Sequence, residues 1–111
     1  MNSKTKREAY FRYCLERLGL PRNLGRYIEC GRTYRSMGNF VVSRYVDGRD
    51  MSARLRVKIS SRYVDVLPVA EVENTIAHEA CHLADFMFRG TSDHGPHWVE
   101  LMRYLGQDPK P

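Results

Sequence analysis

No apolar run in this 111-residue chain approaches the roughly 18 residues that a membrane-crossing helix needs. A membrane span is therefore not expected. Cysteine is scarce: Cys14, Cys30 and Cys81 make an odd count without a C-x-x-C pair, which argues against both a disulfide framework and a zinc ribbon. The opening residues Met1 to Arg7 are polar and lead into no apolar signal core, so export is not indicated and a soluble, cytoplasmic protein is expected. Repeats, low-complexity tracts and inter-domain linkers are also missing. One domain over residues 1–111, with one site, is the expectation. Acidic residues are sparse in the first part of the chain. Residues 1–67 carry 15 Lys and Arg against 6 Asp and Glu, a balance of +9, whereas residues 68–111 carry 3 against 7, a balance of −4. Such an asymmetry fits a polyanion-binding surface beside an acidic segment, and equally a solvated basic face.

What is present is a clear alternation of patterns. Tyr10, Phe11, Cys14, Leu15 and Leu18 recur at helical spacing, and Gly19 and Pro21 stop the segment, which predicts an amphipathic helix from Lys4 to Leu18. Between Tyr27 and Ile59 β-formers take over. Phe40-Val41-Val42, Tyr45-Val46 and the alternating run Leu55, Val57, Ile59 predict two or three antiparallel strands, with Asp47-Gly48-Arg49-Asp50 as a turn. Arg54, Arg56 and Lys58 alternate with that last run, placing three positive charges on one side of a strand. Pro68 then opens a long helix with an apolar stripe of Val69, Val72, Ile76, Ala80, Leu83 and Met87, ended by Arg89-Gly90. A polar loop, Thr91-Ser92-Asp93-His94-Gly95, leads to a last helix beginning at Pro96, with Trp98, Leu101, Met102 and Leu105 on its core side. Gln107 to Pro111 is expected to fray.

The residues that speak to function lie in the long helix: His78-Glu79-Ala80-Cys81-His82 is an H-E-x-x-H pentapeptide. Two histidines four apart on a helix stand one turn above each other, so both imidazoles can hold one metal ion. The glutamate beside the first histidine can reach the water that such an ion activates. Cys81 points away from His82 and is assigned to the core. A catalytic zinc commonly takes three protein ligands. For the third, Asp85, Asp93, His94, His97 and Glu100 are within range. His94 is preferred, because its loop can fold back over the end of the helix. Asp85 comes next, as a ligand or as an acceptor for a ligand imidazole. His97, turned by its own helix and Pro96, is the weaker choice. Glu79 is the expected general base for amide hydrolysis. Trp98 and Met102 read as core residues, and Tyr63, Tyr104 and His97 could each polarise a carbonyl, with nothing to select among them.

The pentapeptide followed by His94-Gly95-Pro96-His97-Trp98, with Met102 four residues on, resembles the SprT-like, or Spartan-type, metalloprotease domain family. The resemblance covers residues 54–105; residues 1–53 are similar only in layout. It implies an α+β, minigluzincin-like fold: an N-terminal helix, a small antiparallel sheet of two or three strands, a long motif helix and a C-terminal helix. It further implies one zinc ion per chain held by His78, His82 and His94, with Glu79 catalytic. Its members with assigned roles act on proteins bound or crosslinked to DNA, which makes a protein substrate and DNA the expected partners of a monomeric enzyme in DNA–protein crosslink repair. Arg54, Arg56 and Lys58 are the candidate DNA contacts, and Arg26-Tyr27, Tyr34-Arg35 and Arg44-Tyr45 could stack on single strands. Two other readings stand beside this one: a DNA-binding module with a structural zinc, and a metal hydrolase of small peptides or amides without a DNA role. With no cysteine after Cys81, a C-terminal zinc ribbon is not expected.

Overall fold

The computed structural model describes residues 4–21, 28–31, 38–44, 53–60 and 67–111, the three inner segments by their backbone alone. In chain order the elements are α1 (Lys4–Arg17), β1 (Ile28–Gly31), β2 (Gly38–Arg44), β3 (Ala53–Ser60), α2 (Val69–Arg89) and α3 (Pro96–Tyr104). The three helices lie where the apolar spacing predicts them. α1 buries Arg7, Phe11, Cys14 and Leu15, a stripe at helical period that Leu18 continues just past its end, and packs on α2. α3 starts with Pro96 in its first turn, where the fixed φ of proline suits the helix, and buries Trp98 and Met102. α2 ends at Gly90, whose left-handed φ of 75° lets its N–H bond the Phe86 carbonyl.

The expected α+β, minigluzincin-like fold with an antiparallel sheet is corrected. Where side chains are described, the packed unit is all helical, its core built from α1, α2 and α3. The strands themselves, traced through the backbone, are not antiparallel throughout. Their order is β1-β3-β2, with β2 antiparallel to β3 but β1 parallel to it. Alternation in a sequence signals a strand and leaves its direction open, since direction depends on which edge the chain returns to. The predicted Phe40–Val42 and Leu55–Ile59 runs fall in β2 and β3, with Phe40 opposite Val57. Tyr45-Val46 and the Asp47–Asp50 turn lie outside the described residues, as do Arg26-Tyr27, Tyr34-Arg35 and Tyr63. Arg54, Arg56 and Lys58 take alternate positions on the central strand, opposite Ser43, Val41 and Asn39.

The polar stripe of α2 is solvated only at its start, with Glu71 exposed and His82 and Asp85 buried. α1 and α3 pack on this helix and β2 and β3 approach it, so that from Ile76 to Asp85 every residue except His78 is buried. The apolar stripe is buried only in its middle, since Val69 and Met87 at its ends are exposed. Cys81 is fully buried and free, as the sequence predicts, and so is Cys14. The expected fraying of the tail is also corrected. Gln107 Nε2 donates to Tyr10 Oη at 2.8 Å and the Asp108 amide donates to Asn74 Oδ1 at 3.0 Å, which tie residues 107–108 to α1 and α2. No helix among the described residues is long and apolar enough to cross a membrane.

Candidate metal centre

His78 and His82 stand one turn apart on α2, and the loop after Gly90 folds back so that His94 joins them. Their Nε2 atoms converge. His82 Nε2 lies 3.1 Å from that of His78 and 3.0 Å from that of His94, and the third edge is 3.3 Å. These nitrogens cannot satisfy one another well, because a ring N–H points outward from its own ring, into the triangle and not along an edge. A cation answers all three lone pairs at once. Imidazole nitrogens bound tetrahedrally to zinc at 2.0–2.1 Å are about 3.3 Å apart, which the triangle matches to within a few tenths of an ångström. Burial, then the neighbouring imidazoles, push His78 and His82 down to about 4. Both rings are therefore neutral at pH 7, the state in which they can bind a metal.

Trp98 is the floor under this triangle. Its fully buried indole lies 4.7, 5.4 and 4.8 Å from the ring centroids of His78, His82 and His94, and its Nε1 donates to the His78 carbonyl at 3.2 Å. The sequence marks it as core, which it is. Its contact with all three imidazoles goes beyond that reading, and the available signal was the need of a buried indole N–H for an acceptor.

Glu79 sits at the edge of the cluster with Oε1 3.8 Å from His78 Nε2. The carboxyl is buried, and Oε2 has no hydrogen-bond partner among the described residues. Burial pushes its pKa up to about 8. A carboxylate buried without donors is costly, and a nearby cation or a proton relieves that cost. A cleft of about 340 Å³ opens beside His78 and Glu79, walled by Glu71, Asn74 and Thr75 of α2 and by Lys110 and Pro111 of the tail. The backbone of Lys110 also hydrogen-bonds the His78 side chain.

Asp85 is placed outside the triangle, and its oxygens are already engaged. Oδ1 accepts from Arg89 Nε and from His97 Nδ1, both at 2.5 Å; Oδ2 accepts from Arg89 Nη2 at 2.8 Å and from the Asp93 amide at 3.2 Å. Burial raises the Asp85 pKa, but the bonds from Arg89, His97, the Asp93 backbone and Ser92 outweigh it and hold the carboxyl well below the usual carboxylate range. His97 thus faces Asp85, not the other histidines. Asp93 accepts from Arg89 Nη2 at 3.0 Å and from the Gly95 amide at 2.9 Å, which closes the loop just before α3. A Cβ at Gly95 would lie 2.8 Å from Asp93 Oδ1, so a side chain here would push the Asp93 carboxylate off the Gly95 amide. Glu100, on the exposed side of α3, stands outside the cluster. The cluster thus draws two histidines and a carboxyl from α2, a histidine from the loop and an aromatic floor from α3.

The SprT-like family model matches residues 22–110. The chain belongs to the SprT-like family. The match takes in the whole helix–loop–helix unit that carries the SprT-like histidine cluster, together with the strand segments before it. Neither a curated protein nor a solved structure matches the chain. As a SprT-like domain it is of metalloprotease type, and three of its histidines are placed to bind a metal ion.

Proposed function

We propose that this chain is a zinc-dependent endopeptidase that hydrolyses peptide bonds in proteins associated with DNA. The observation that carries the hydrolase reading is the convergence of three Nε2 atoms at 3.0–3.3 Å with the Glu79 carboxyl at their edge. His78, His82 and His94 would hold the ion. Among the described residues no fourth histidine, cysteine or carboxylate joins them, which suits an open catalytic site better than a closed structural one. When bound, zinc at such a site lowers the pKa of water towards 7 and polarises a carbonyl.

The remaining work falls to the chain's own groups. Glu79 takes a proton from the attacking water and hands it to the amide nitrogen as the C–N bond breaks, which regenerates its carboxylate. The water oxygen ends in the new carboxyl terminus. Burial makes the Glu79 carboxylate more basic, and the charge of a bound zinc would oppose that rise and keep the carboxylate form available to take the proton. The cleft along Glu71, Asn74 and Thr75 runs up to Glu79 and gives an extended peptide a place to lie. The DNA part of the reading is supported by the balance of +9 over residues 1–67 and by Arg54, Arg56 and Lys58 at alternate positions of β3.

The purified chain should contain about one zinc per molecule, and Glu79→Gln should retain it while cleavage falls by a factor on the order of a thousand or more. Loss of the metal in that variant, or unimpaired cleavage, would remove Glu79 from the role of base. DNA should stimulate cleavage with a steep salt dependence, and joint replacement of Arg54, Arg56 and Lys58 by alanine should flatten that dependence.

A further inference from the structure

We propose that Asn74 is a positioning residue of the substrate cleft, latching residues 107–111 to α2 so that this segment forms the second wall against which the peptide lies. The inference rests on the endopeptidase reading and adds to it an element from outside the histidine cluster. One wall of the cleft of about 340 Å³ is α2, where Glu71, Asn74, Thr75 and His78 recur at helical spacing and lead up to Glu79; Lys110 and Pro111 supply the other. From Glu71 to Glu79 the helix rises about 12 Å, room for about three or four residues of an extended peptide.

The second wall is part of no helix or strand, since α3 ends at Tyr104. Gly106, with a left-handed φ of 71°, turns the chain there, and the Gln107 amide bonds the Met102 carbonyl at 3.0 Å. Side chains of the other two helices then take hold. The Asp108 amide donates to Asn74 Oδ1 at 3.0 Å, and Gln107 Nε2 donates to Tyr10 Oη at 2.8 Å. The Lys110 amide donates to the Asp108 carbonyl at 2.8 Å, and Lys110 Nζ lies 3.7 Å from Asp108 Oδ2. Lys110 is thus folded onto the very residue that Asn74 grips. The two latches differ in place: Asn74 also lines the cleft, whereas Tyr10, on α1, stands outside it. A wall fixed before the peptide arrives removes an ordering cost from binding, and the chemical step is left as it was.

Kinetics of the zinc-loaded full chain on an unstructured fluorogenic peptide test this. Asn74→Ala should raise KM roughly 3–10-fold, the worth of about one hydrogen bond, and leave kcat within twofold. Tyr10→Phe, which removes the acceptor of Gln107 at a distance from the peptide, should raise KM about two- to fivefold with the same kcat. A KM within twofold of wild type in Asn74→Ala would overturn the proposal. So would a fall in kcat, which would put Asn74 at the reacting atoms, or faster cleavage, which would make the segment a plug. A rise in KM that Tyr10→Phe fails to share would overturn it too, by marking direct contact of Asn74 with the peptide. If the wild-type chain cleaved no peptide, the endopeptidase reading would fail on its own account. The Kd of a fluorescein-labelled peptide for the Glu79→Gln chain, with and without Asn74→Ala, would still decide the wall: a rise of roughly 3–10-fold supports it, and an unchanged Kd or no binding overturns it.

Discussion

His78 and His82 are held by a helix, and His94 is held by a loop. The helical pair needs no special arrangement, because backbone hydrogen bonds of α2 set the rise of one turn between them and burial around Ala77 to Ala84 keeps that turn from fraying. The third histidine sits in the connection between Arg89 and Pro96, where backbone conformation is free until something restrains it. Asp85, Arg89, Asp93 and Gly95 supply the restraint, through bonds of 2.5–3.2 Å that lead back to the end of α2. Exposure follows the same division: His82 is buried, His78 half-buried and His94 exposed. A site of this construction is rigid on one side and clamped on the other. Variants that strike the two sides should separate metal binding from folding.

The largest effect is expected from the ligands. His82→Ala and His94→Ala should each weaken zinc binding by roughly two orders of magnitude or more, about one ligand's share of the binding free energy. Their metal-free stabilities should differ. His94→Ala is expected to remain within about 0.5 kcal/mol of wild type in urea unfolding, whereas His82→Ala, which empties space above Trp98, should cost about 1–3 kcal/mol. Equal destabilisation would erase the distinction between helix-held and loop-held ligands.

Asp85→Ala attacks the clamp and leaves every ligand in place. It deprives Arg89, His97 and the Asp93 amide of their acceptor and is expected to cost about 3 kcal/mol by chemical denaturation. Zinc affinity should drop as well, because the His94 loop is no longer tied to α2. Unchanged stability would show that the loop is held by other means.

The smallest effect is one of pH on metal-free protein. His78 and His82 titrate near 4 when folded and near 6.5 when unfolded. Between these values the unfolded chain binds more protons, so their contribution to stability is fully present above about 6.5 and is lost as pH falls towards 4. Glu79 acts in the opposite sense: its folded value of about 8 exceeds its unfolded value, so lowering the pH from 8 towards 4.5 stabilises the fold. Thermal melts of Glu79→Gln in chelator should therefore fall more steeply than those of wild type between pH 6.5 and 4.5. Parallel profiles would contradict the buried, unpartnered state of Glu79.

Much of the helical frame was legible in the chain. The spacing of Phe11, Leu15 and Leu18, the start at Pro68, the stop at Gly90 and the start at Pro96 are local signals, and local signals survive tertiary packing when apolar period and end residues agree. His94 could be ranked first among the third-ligand candidates because a short Gly-containing loop limits where its chain can go. The sheet was less legible, since parallel pairing of β1 with β3 depends on a partner 29 residues away in register, Ile28 against Val57. The burial of the polar stripe was also hidden: Glu71, Thr75, His78, His82 and Asp85 look like a water-facing edge until neighbouring elements close over part of it. Asp85 is the clearest case. A carboxylate one turn past His82 can be ligand, anchor or surface charge, and only the arrival of Arg89, His97 and the Asp93 amide selects among them.

The sequence by itself determined that His78, Glu79 and His82 come together, because H-E-x-x-H on a helix has one geometry and its period brings these side chains together without help from elsewhere. It also settled membership of the SprT-like family. Only the tertiary structure decided that His94 completes the triangle, that Trp98 lies beneath it and that Ser92 meets His82. Each of those depends on a loop closing against a helix through hydrogen bonds between residues 10 to 20 positions apart, and no local pattern encodes such a meeting.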